Sequence, residues 1–165
     1  MSKVAVIMGS NSDLPVLKNC IKILNEFGVE TEVSVISAHR TPDKAAKYAK
    51  DAEKNGFSVI IAAAGKAAHL PGVLAAYTVL PVIGIPIKSS TLDGLDSLLS
   101  IVQMPKGIPV ATVAVDGAEN AALLAVQILG ISDSLLRKKM KQYKLSMAKE
   151  VEKKDLQVKA DLTSC

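Results

Sequence analysis

Aromatic side chains are scarce in this chain of 165 residues, with three tyrosines, two phenylalanines and no tryptophan, 3% in all. Proteins that bind unpaired nucleic acid bases stack them on exposed aromatic rings, so this scarcity argues against such a partner. The formal net charge of +4 does not favour nucleic acid either. Residues 131–165 hold nine basic and five acidic residues, whereas residues 1–130 are balanced. We therefore expect no nucleic acid partner.

Cysteine is also rare, with only Cys20 and Cys165, far apart in the chain. Their spacing matches no zinc or redox motif, and no acidic cluster has the pattern of a divalent metal site. Cys20 falls on the apolar side of a predicted helix, where we expect a small core residue. The sequence predicts no metal, and nothing in it indicates a disulfide.

Long apolar runs are missing as well: none approaches the roughly 18 residues of a membrane-spanning helix. The chain enters a strand pattern almost at once, without the basic and apolar regions of a secretory signal. We therefore expect a cytoplasmic protein without membrane contact. No G-x-G-x-x-G, P-loop or G-x-S-x-G motif occurs, which leaves acid–base chemistry without a cofactor as the main candidate.

Hydrophobic residues are abundant, at 49% of the chain, which is enough to bury a sheet on both faces. Apolar or alternating runs predict five strands, at residues 4–8, 29–35, 59–63, 82–85 and 110–115. Helical spacing and capping residues predict helices at 14–27, 41–54, 71–78, 95–103, 119–129 and 132–152, with a frayed tail beyond. This alternation is typical of an α/β fold: one three-layer, doubly wound parallel sheet.

The last predicted helix differs from the others because it is strongly basic. We assign residues 1–131 to the α/β domain and residues 132–165 to a C-terminal helix and tail that belong to that domain or to an oligomer interface. The helix carries a partial apolar stripe, Leu135, Leu136, Met140, Tyr143 and Met147. This stripe packs either on its own domain or on a neighbouring subunit, and the sequence leaves both open.

Polar residues and glycines follow each of the first four predicted strands: Gly9–Asp13, Ser37–Arg40, Gly65–His69 and Lys88–Ser90. The carboxyl ends of parallel strands meet at one edge of a sheet, where open α/β sheets bind ligands. These segments bring together an arginine, small hydroxyls, backbone N–H groups, a carboxylate and the only two histidines of the chain. Such a set suits an anionic ligand such as a sugar phosphate.

His39 and His69 are the candidates for proton transfer because imidazole titrates nearest to neutral pH. Arg40 suits a phosphate, and Asp13 could accept hydrogen bonds from ribose hydroxyls. Each residue also has a purely structural interpretation. The Gly9–Asp13 segment is also consistent with an ordinary strand-to-helix turn, His39 with a turn residue, and His69 with a histidine packed at a helix start.

Several segments, taken in order, resemble the PurE family of purine biosynthesis over about residues 3–130. They are Gly9-Ser10-x-Ser12-Asp13, Ser37 to Pro42, Ala67-Ala68-His69-Leu70-Pro71-Gly72, Asp96 to Pro105 and Asn120 to Ala125. One branch of that family is a mutase that moves a carboxylate from N5 to C4 of N5-carboxyaminoimidazole ribonucleotide. A second branch carboxylates aminoimidazole ribonucleotide directly with CO2. The His-Leu-Pro-Gly and Gln-Met-Pro runs resemble the mutase branch.

The resemblance implies a flavodoxin-like sheet, a homo-octamer, a small ribonucleotide substrate, and neither metal nor cofactor. It implies that His39 is the catalytic acid and base, and that Ser10, Asp13 and Arg40 bind the nucleotide. The rest of the implied pocket wall consists of Ser37, Ala64, Gly65, Lys66, Ala67 and His69.

Lys66 departs from the mutase pattern, which usually reads Gly-Ala-Gly-Gly before Ala-Ala-His and here reads Ala63-Ala64-Gly65-Lys66. The carboxylase branch often carries a basic residue there. The lysine either holds the migrating carboxylate or CO2, or points into solvent. Three hypotheses follow: the mutase, the direct carboxylase, and a non-catalytic nucleotide-binding module, which would not need His39 beside Arg40.

Overall fold

The computed structural model describes residues 3–163, and Cys165 lies outside them. The strands are β1 (Lys3–Met8), β2 (Glu30–Val35), β3 (Phe57–Gly65), β4 (Val82–Ile87) and β5 (Ala111–Thr112). The helices are α1 (Leu14–Phe27), α2 (Pro42–Asp51), α3 (Leu70–Ala75), α4 (Leu95–Val102), α5 (Ala118–Leu129) and α6 (Ser134–Thr163). Within the described residues, none of these helices is long and apolar enough to span a bilayer.

All five strands are parallel and lie in the order β2-β1-β3-β4-β5. This is the order of flavodoxin-like folds, and it confirms the predicted fold class. The chain crosses in one direction from β1 to β2 and in the other from β3 to β4. The two crossovers leave a crevice above the carboxyl ends of β1 and β3, which is where such folds bind ligands.

Two apolar cores lie on opposite faces of the sheet. Val4 and Val6 of β1 pack with α1 and α5, whereas Ala5 and Ile7 pack with α2, α3 and α4. This period of two follows from the alternation of side chains along a strand. Cys20 is fully buried in the first core, as predicted, and burial raises its thiol pKa to about 12.

The start and end of α1 have clear local causes. Ser10 caps the turn before α1, because its Oγ accepts a hydrogen bond from the Ser12 N–H at 3.3 Å. Asp13 completes the capping box by accepting the Ser10 N–H at 3.2 Å. Gly28 ends the helix at φ +76°, a conformation that favours glycine.

The fifth strand is much shorter than the predicted 110–115. Beyond Thr112 the chain still runs beside β4, where the Val113 N–H donates to Gly84 O at 3.2 Å and the Asp116 N–H to Pro86 O at 2.8 Å. Pro86 has no N–H to donate, so the ladder on this side of β4 cannot continue regularly. Pro86 in the neighbouring strand β4 therefore limits the length of β5.

The first turns of α6 pack on their own domain. Leu136 and Met140 are buried against the first core, and the Tyr143 ring lies 5.8 Å from that of Phe27. Lys139 Nζ donates to Phe27 O at 2.8 Å. This part of the stripe therefore belongs to the chain's own core.

The rest of α6 corrects the sequence analysis, because the helix continues to Thr163 instead of fraying after residue 152. Every residue from Lys144 to Thr163 is exposed, including Met147. Side chains one turn apart support this segment, as in the Asp155–Lys159 pair at 2.6 Å. The helical prediction stopped early because the apolar pattern weakens where the helix leaves the domain.

Candidate active site

A cavity of about 650 Å³ opens at the carboxyl edge of the sheet, where the loops after β1, β2, β3 and β4 meet. This volume is typical of small-molecule sites. All ten positions that the sequence analysis selected line the cavity: Ser10, Asp13, Ser37, His39, Arg40, Ala64, Gly65, Lys66, Ala67 and His69. The topology explains this, because β1 lies between β2 and β3 and β4 adjoins β3.

The two histidines touch each other across the cavity. Nε2 of His39 lies 2.7 Å from Nδ1 of His69, and the rings meet edge to face with centroids 4.9 Å apart. At this distance one nitrogen must donate and the other accept, so the two rings share one proton along this line. Both histidines are candidates for proton transfer from the sequence, and the resemblance implies His39 as the catalytic residue, but neither predicts this contact. The one signal was that both histidines follow strands.

A tight turn after β2 positions His39 and Arg40. Ser37 Oγ accepts hydrogen bonds from the Arg40 backbone N–H at 3.1 Å and from Arg40 Nε at 3.5 Å. Thr41 Oγ1 donates to Ser37 O at 2.9 Å and accepts from the Ser37 N–H at 3.0 Å. The turn therefore holds the arginine in place. Within residues 3–163, no carboxylate forms an ion pair with it.

The loop after β1 contributes hydroxyls and one carboxylate. Asp13 is only 7% exposed and accepts hydrogen bonds from the Ser10 N–H and Ser12 Oγ, each at 3.2 Å. Burial raises its pKa above the ordinary value, although both hydrogen bonds act in the opposite direction. Asp13 thus both closes the turn and lines the cavity.

The loop after β3 has an apolar wall and one cation. Ala64 and Leu70 are buried and line the cavity together with Ala67. Lys66 adopts a φ of +55°, a left-handed conformation that is more costly for a residue with a Cβ than for glycine. The wall is therefore mostly apolar, with a lysine placed at the end of the central strand.

The loop after β4 also lines the cavity, although the sequence analysis did not include it among the site residues. Ser89 is buried and donates its Oγ to the Asp96 carboxylate at 2.9 Å. The Lys88 N–H donates to Asp116 Oδ1 at 2.9 Å, and Lys88 Nζ pairs with Asp93 at 3.2 Å. Position after a strand was the signal that identified Lys88–Ser90 as belonging to this edge. Across the described part of the chain, no three His, Cys, Asp or Glu side chains group as metal ligands would.

Residues 3–150 match the family model described as AIR carboxylase. The chain belongs to the AIR carboxylase family. This agrees with the resemblance to PurE, and a solved structure described as Treponema denticola PurE superposes with a TM-score of 0.86 at 29% identity, covering 94% of this chain and 97% of that one.

Relatives of this AIR carboxylase family member carry two different names. Proteins named N5-carboxyaminoimidazole ribonucleotide mutase are 63% identical in Pyrococcus horikoshii and 59% identical in Thermotoga maritima, each over 92% of this chain and 85% or 88% of their own length. A Candida albicans protein named phosphoribosylaminoimidazole carboxylase is 60% identical over 90% of this chain but only 26% of its own length. Identity alone therefore does not separate the two branches.

Proposed function

We propose that this member of the AIR carboxylase family converts N5-carboxyaminoimidazole ribonucleotide into its C4-carboxylated isomer. The observation that carries the proposal is the His39–His69 pair, with its 2.7 Å contact inside a cavity that also contains Arg40. The names of the relatives from Pyrococcus horikoshii and Thermotoga maritima support the same reaction.

In the proposed complex the phosphate binds to Arg40 and the Ser10 loop, because arginine presents a fork of donors that matches phosphate oxygens. Asp13 accepts hydrogen bonds from the ribose hydroxyls. The aminoimidazole ring of the nucleotide lies against Ser37, His69 and the wall formed by residues 64–67. In this arrangement the phosphate, the ribose and the ring each contact a different side of the cavity, and the reacting atoms lie next to the histidines.

The proposed reaction needs no net proton. The N5–carboxylate bond breaks, its electron pair stays on N5, and N5 gains a proton as CO2 forms. C4 then attacks the CO2 carbon, and His39 removes the proton that C4 still carries. General acid–base catalysis of this kind contributes roughly 10²–10⁴-fold.

The histidine pair suits this proton balance. A proton taken from C4 by His39 is equivalent to the one that N5 needs, and the contact with His69 lets the two rings share it between the two steps. The apolar wall of Ala64, Ala67 and Leu70 suits CO2, which is neutral and is retained only by confinement. Confinement beside C4 replaces a bimolecular step by an intramolecular one.

Direct carboxylation of aminoimidazole ribonucleotide by CO2 is the second candidate, favoured by the name of the Candida albicans relative. It differs from the mutase reaction in a measurable way. Carboxylation of C4 by free CO2 releases one proton for each product formed, whereas the isomerisation releases none.

A label experiment tests the proposal. The substrate carries a carbon label in its N5-carboxylate and turns over in unlabelled bicarbonate. The mutase retains the label in the C4 carboxylate. Loss of label to the medium, together with efficient use of aminoimidazole ribonucleotide and CO2, would instead support the carboxylase. A protein that binds both nucleotides without turnover would be a non-catalytic module.

We also propose that the protein is a homo-octamer, as the family resemblance implies. Exposed apolar side chains support an assembly of several copies. Leu95, Leu99 and Val102 lie along one side of α4, each about half exposed, and Leu92 in the turn before the helix is equally exposed. Such a continuous apolar line on a surface is typical of protein interfaces.

A further inference from the structure

Lys66 has an unfavourable backbone conformation that no hydrogen bond or ion pair of its side chain within the described residues offsets. In the part of the chain that the structure describes, three residues other than glycine have positive φ: Lys66, Asp93 and Asp116. Aspartate tolerates this region better than lysine does, and both aspartates hold a partner, Lys88 Nζ for Asp93 and the Lys88 N–H for Asp116. Among residues 3–163, no hydrogen bond or ion pair involves the Lys66 side chain. A conformational cost without a local compensation points to a functional constraint.

The position of Lys66 places it beside the reacting groups. It directly follows Gly65, the last residue of β3. On one side of β3 lies β1, which Gly9 follows, and on the other lies β4, which ends at Ile87. His69, which contacts His39 at 2.7 Å, lies three residues further along the same loop. The lysine therefore shares a short loop with half of the proton-transfer pair.

The cavity contains more cations than carboxylates. Arg40, Lys66 and Lys88 line it, and Asp13 is its one lining carboxylate in the described part of the chain. Lys88 already pairs with Asp93 at 3.2 Å. Two cations, Arg40 and Lys66, thus face the cavity without a carboxylate partner. The proposed substrate has two anionic groups, a phosphate and a carboxylate.

We propose that Lys66 recognises the carboxylate of the ribonucleotide, an inference that rests on the proposed function. The carboxylate must lie at the reacting atoms, because the reaction breaks its bond to N5 and then forms its bond to C4. Lys66 is on the loop of His69, whereas Arg40 is held by Ser37 in the turn after β2. The proposed complex already places the phosphate at Arg40, which among the described residues leaves Lys66 as the unpaired cation for the carboxylate.

This assignment predicts which kinetic constant changes. The carboxylate is charged in the substrate and in the product, but CO2 is neutral. Lys66 therefore stabilises the two bound ribonucleotides more than the CO2-containing intermediate. Its removal raises KM more than it lowers kcat, since it removes an interaction made mainly in the bound ground states.

The test compares two ligands that differ only in the carboxylate. Dissociation constants are measured by calorimetry for the C4-carboxylated ribonucleotide and for aminoimidazole ribonucleotide, with wild type, Lys66→Met and Lys66→Arg. We expect Lys66→Met to weaken the carboxylated ligand by ~10- to 100-fold, as for a lost charge-assisted hydrogen bond, and to leave the other unchanged. Lys66→Arg retains most of the affinity. Undiminished binding of aminoimidazole ribonucleotide also shows that the variant is folded.

Lys88→Met is the matched control, because it removes the other lysine of the cavity, whose Nζ already has a partner. It should not change the ratio of the two dissociation constants. Equal weakening of both ligands in Lys66→Met would place Lys66 at the phosphate or ribose, and no weakening would place it in solvent. Either result overturns the inference, as does the same ratio change in Lys88→Met. Failure of wild type to bind either ligand would instead reject the proposed function.

Discussion

The carboxyl edge of the sheet and the far half of α6, residues 148–163, are both exposed, but they differ in how their side chains are held. At the sheet edge three of the four loops are held by side-chain hydrogen bonds of their own, which join Ser37 with Arg40, Ser10 with Asp13, and Ser89 with Asp96. Along the far half of α6, apolar side chains have no tertiary support, and Val151 is 65% and Leu162 72% exposed.

The two regions differ in what a single copy of the chain can form. The loops at the sheet edge already form a cavity from a single copy of the chain. An isolated helix as short as residues 148–163 is marginally stable in water, because nucleation is costly and most helical stability comes from packing. The far half of α6 therefore suits a contact with another copy, whereas the cavity loops suit a ligand.

The largest effect is expected at the histidine pair. His39→Asn removes the proton acceptor while keeping a polar side chain, so kcat should fall by at least ~10²-fold with nucleotide affinity nearly unchanged. Steady-state kinetics and calorimetry measure the two quantities. His69→Asn is the companion variant, and we expect a smaller loss and an altered pH profile. A His39→Asn enzyme with most of its turnover would reject His39 as the proton-transfer group.

Arg40→Ala should weaken the binding of aminoimidazole ribonucleotide by about 30-fold, equivalent to about 2 kcal/mol, because a charge-assisted contact with the phosphate is lost. Titration calorimetry gives the dissociation constant. Lys44→Ala is the control, since Lys44 is exposed and donates to Val35 O instead of lining the cavity. Unchanged affinity in Arg40→Ala would remove the phosphate from this side of the cavity.

Val151→Asp and Leu162→Asp should weaken self-association by roughly tenfold or more, because a charge would replace apolar area buried between copies. Sedimentation over a range of concentrations measures this. Gln157→Asp adds the same charge at an exposed polar position of the same helix half and serves as the control. A wild-type monomer at micromolar concentration would contradict the octamer, and unaltered association in both variants would contradict the role of α6.

Asp13→Asn should give the smallest effect, on stability. Burial raises the Asp13 pKa, so the folded protein holds this proton more tightly than the unfolded chain does. This contribution to stability is complete below the ordinary value of 3.8 and is lost as the pH rises through the folded pKa. The asparagine oxygen still accepts the Ser10 N–H, so the variant should melt ~2 °C higher than wild type at pH 7. This difference in melting temperature between variant and wild type should disappear in acid. A difference that does not change with pH would mean that titration of Asp13 is not its cause.

The amino-acid sequence by itself determined the elements whose signals are local. Apolar runs such as Val59–Ala63 mark the buried strands, because a strand covered on both faces needs apolar residues throughout. Helix starts such as Thr41-Pro42 are readable in the same way. Because ligand loops follow parallel strands, the sequence also identified the loops at this edge, and the ten residues that the resemblance to PurE implies all line the cavity. Their roles, the octamer and the cytoplasmic location stay predictions.

Only the tertiary structure decided what depends on residues far apart in the chain. Pro86 of β4 shortens β5, a limit that the apolar run after Pro109 does not show. Leu136 is buried while the adjacent Leu135 is exposed, because α5 and α1 lie on one side of α6. The contact between His39 and His69 needs β1 to lie between β2 and β3. Strand order is set by crossovers and packing over the whole domain, and no local pattern records it.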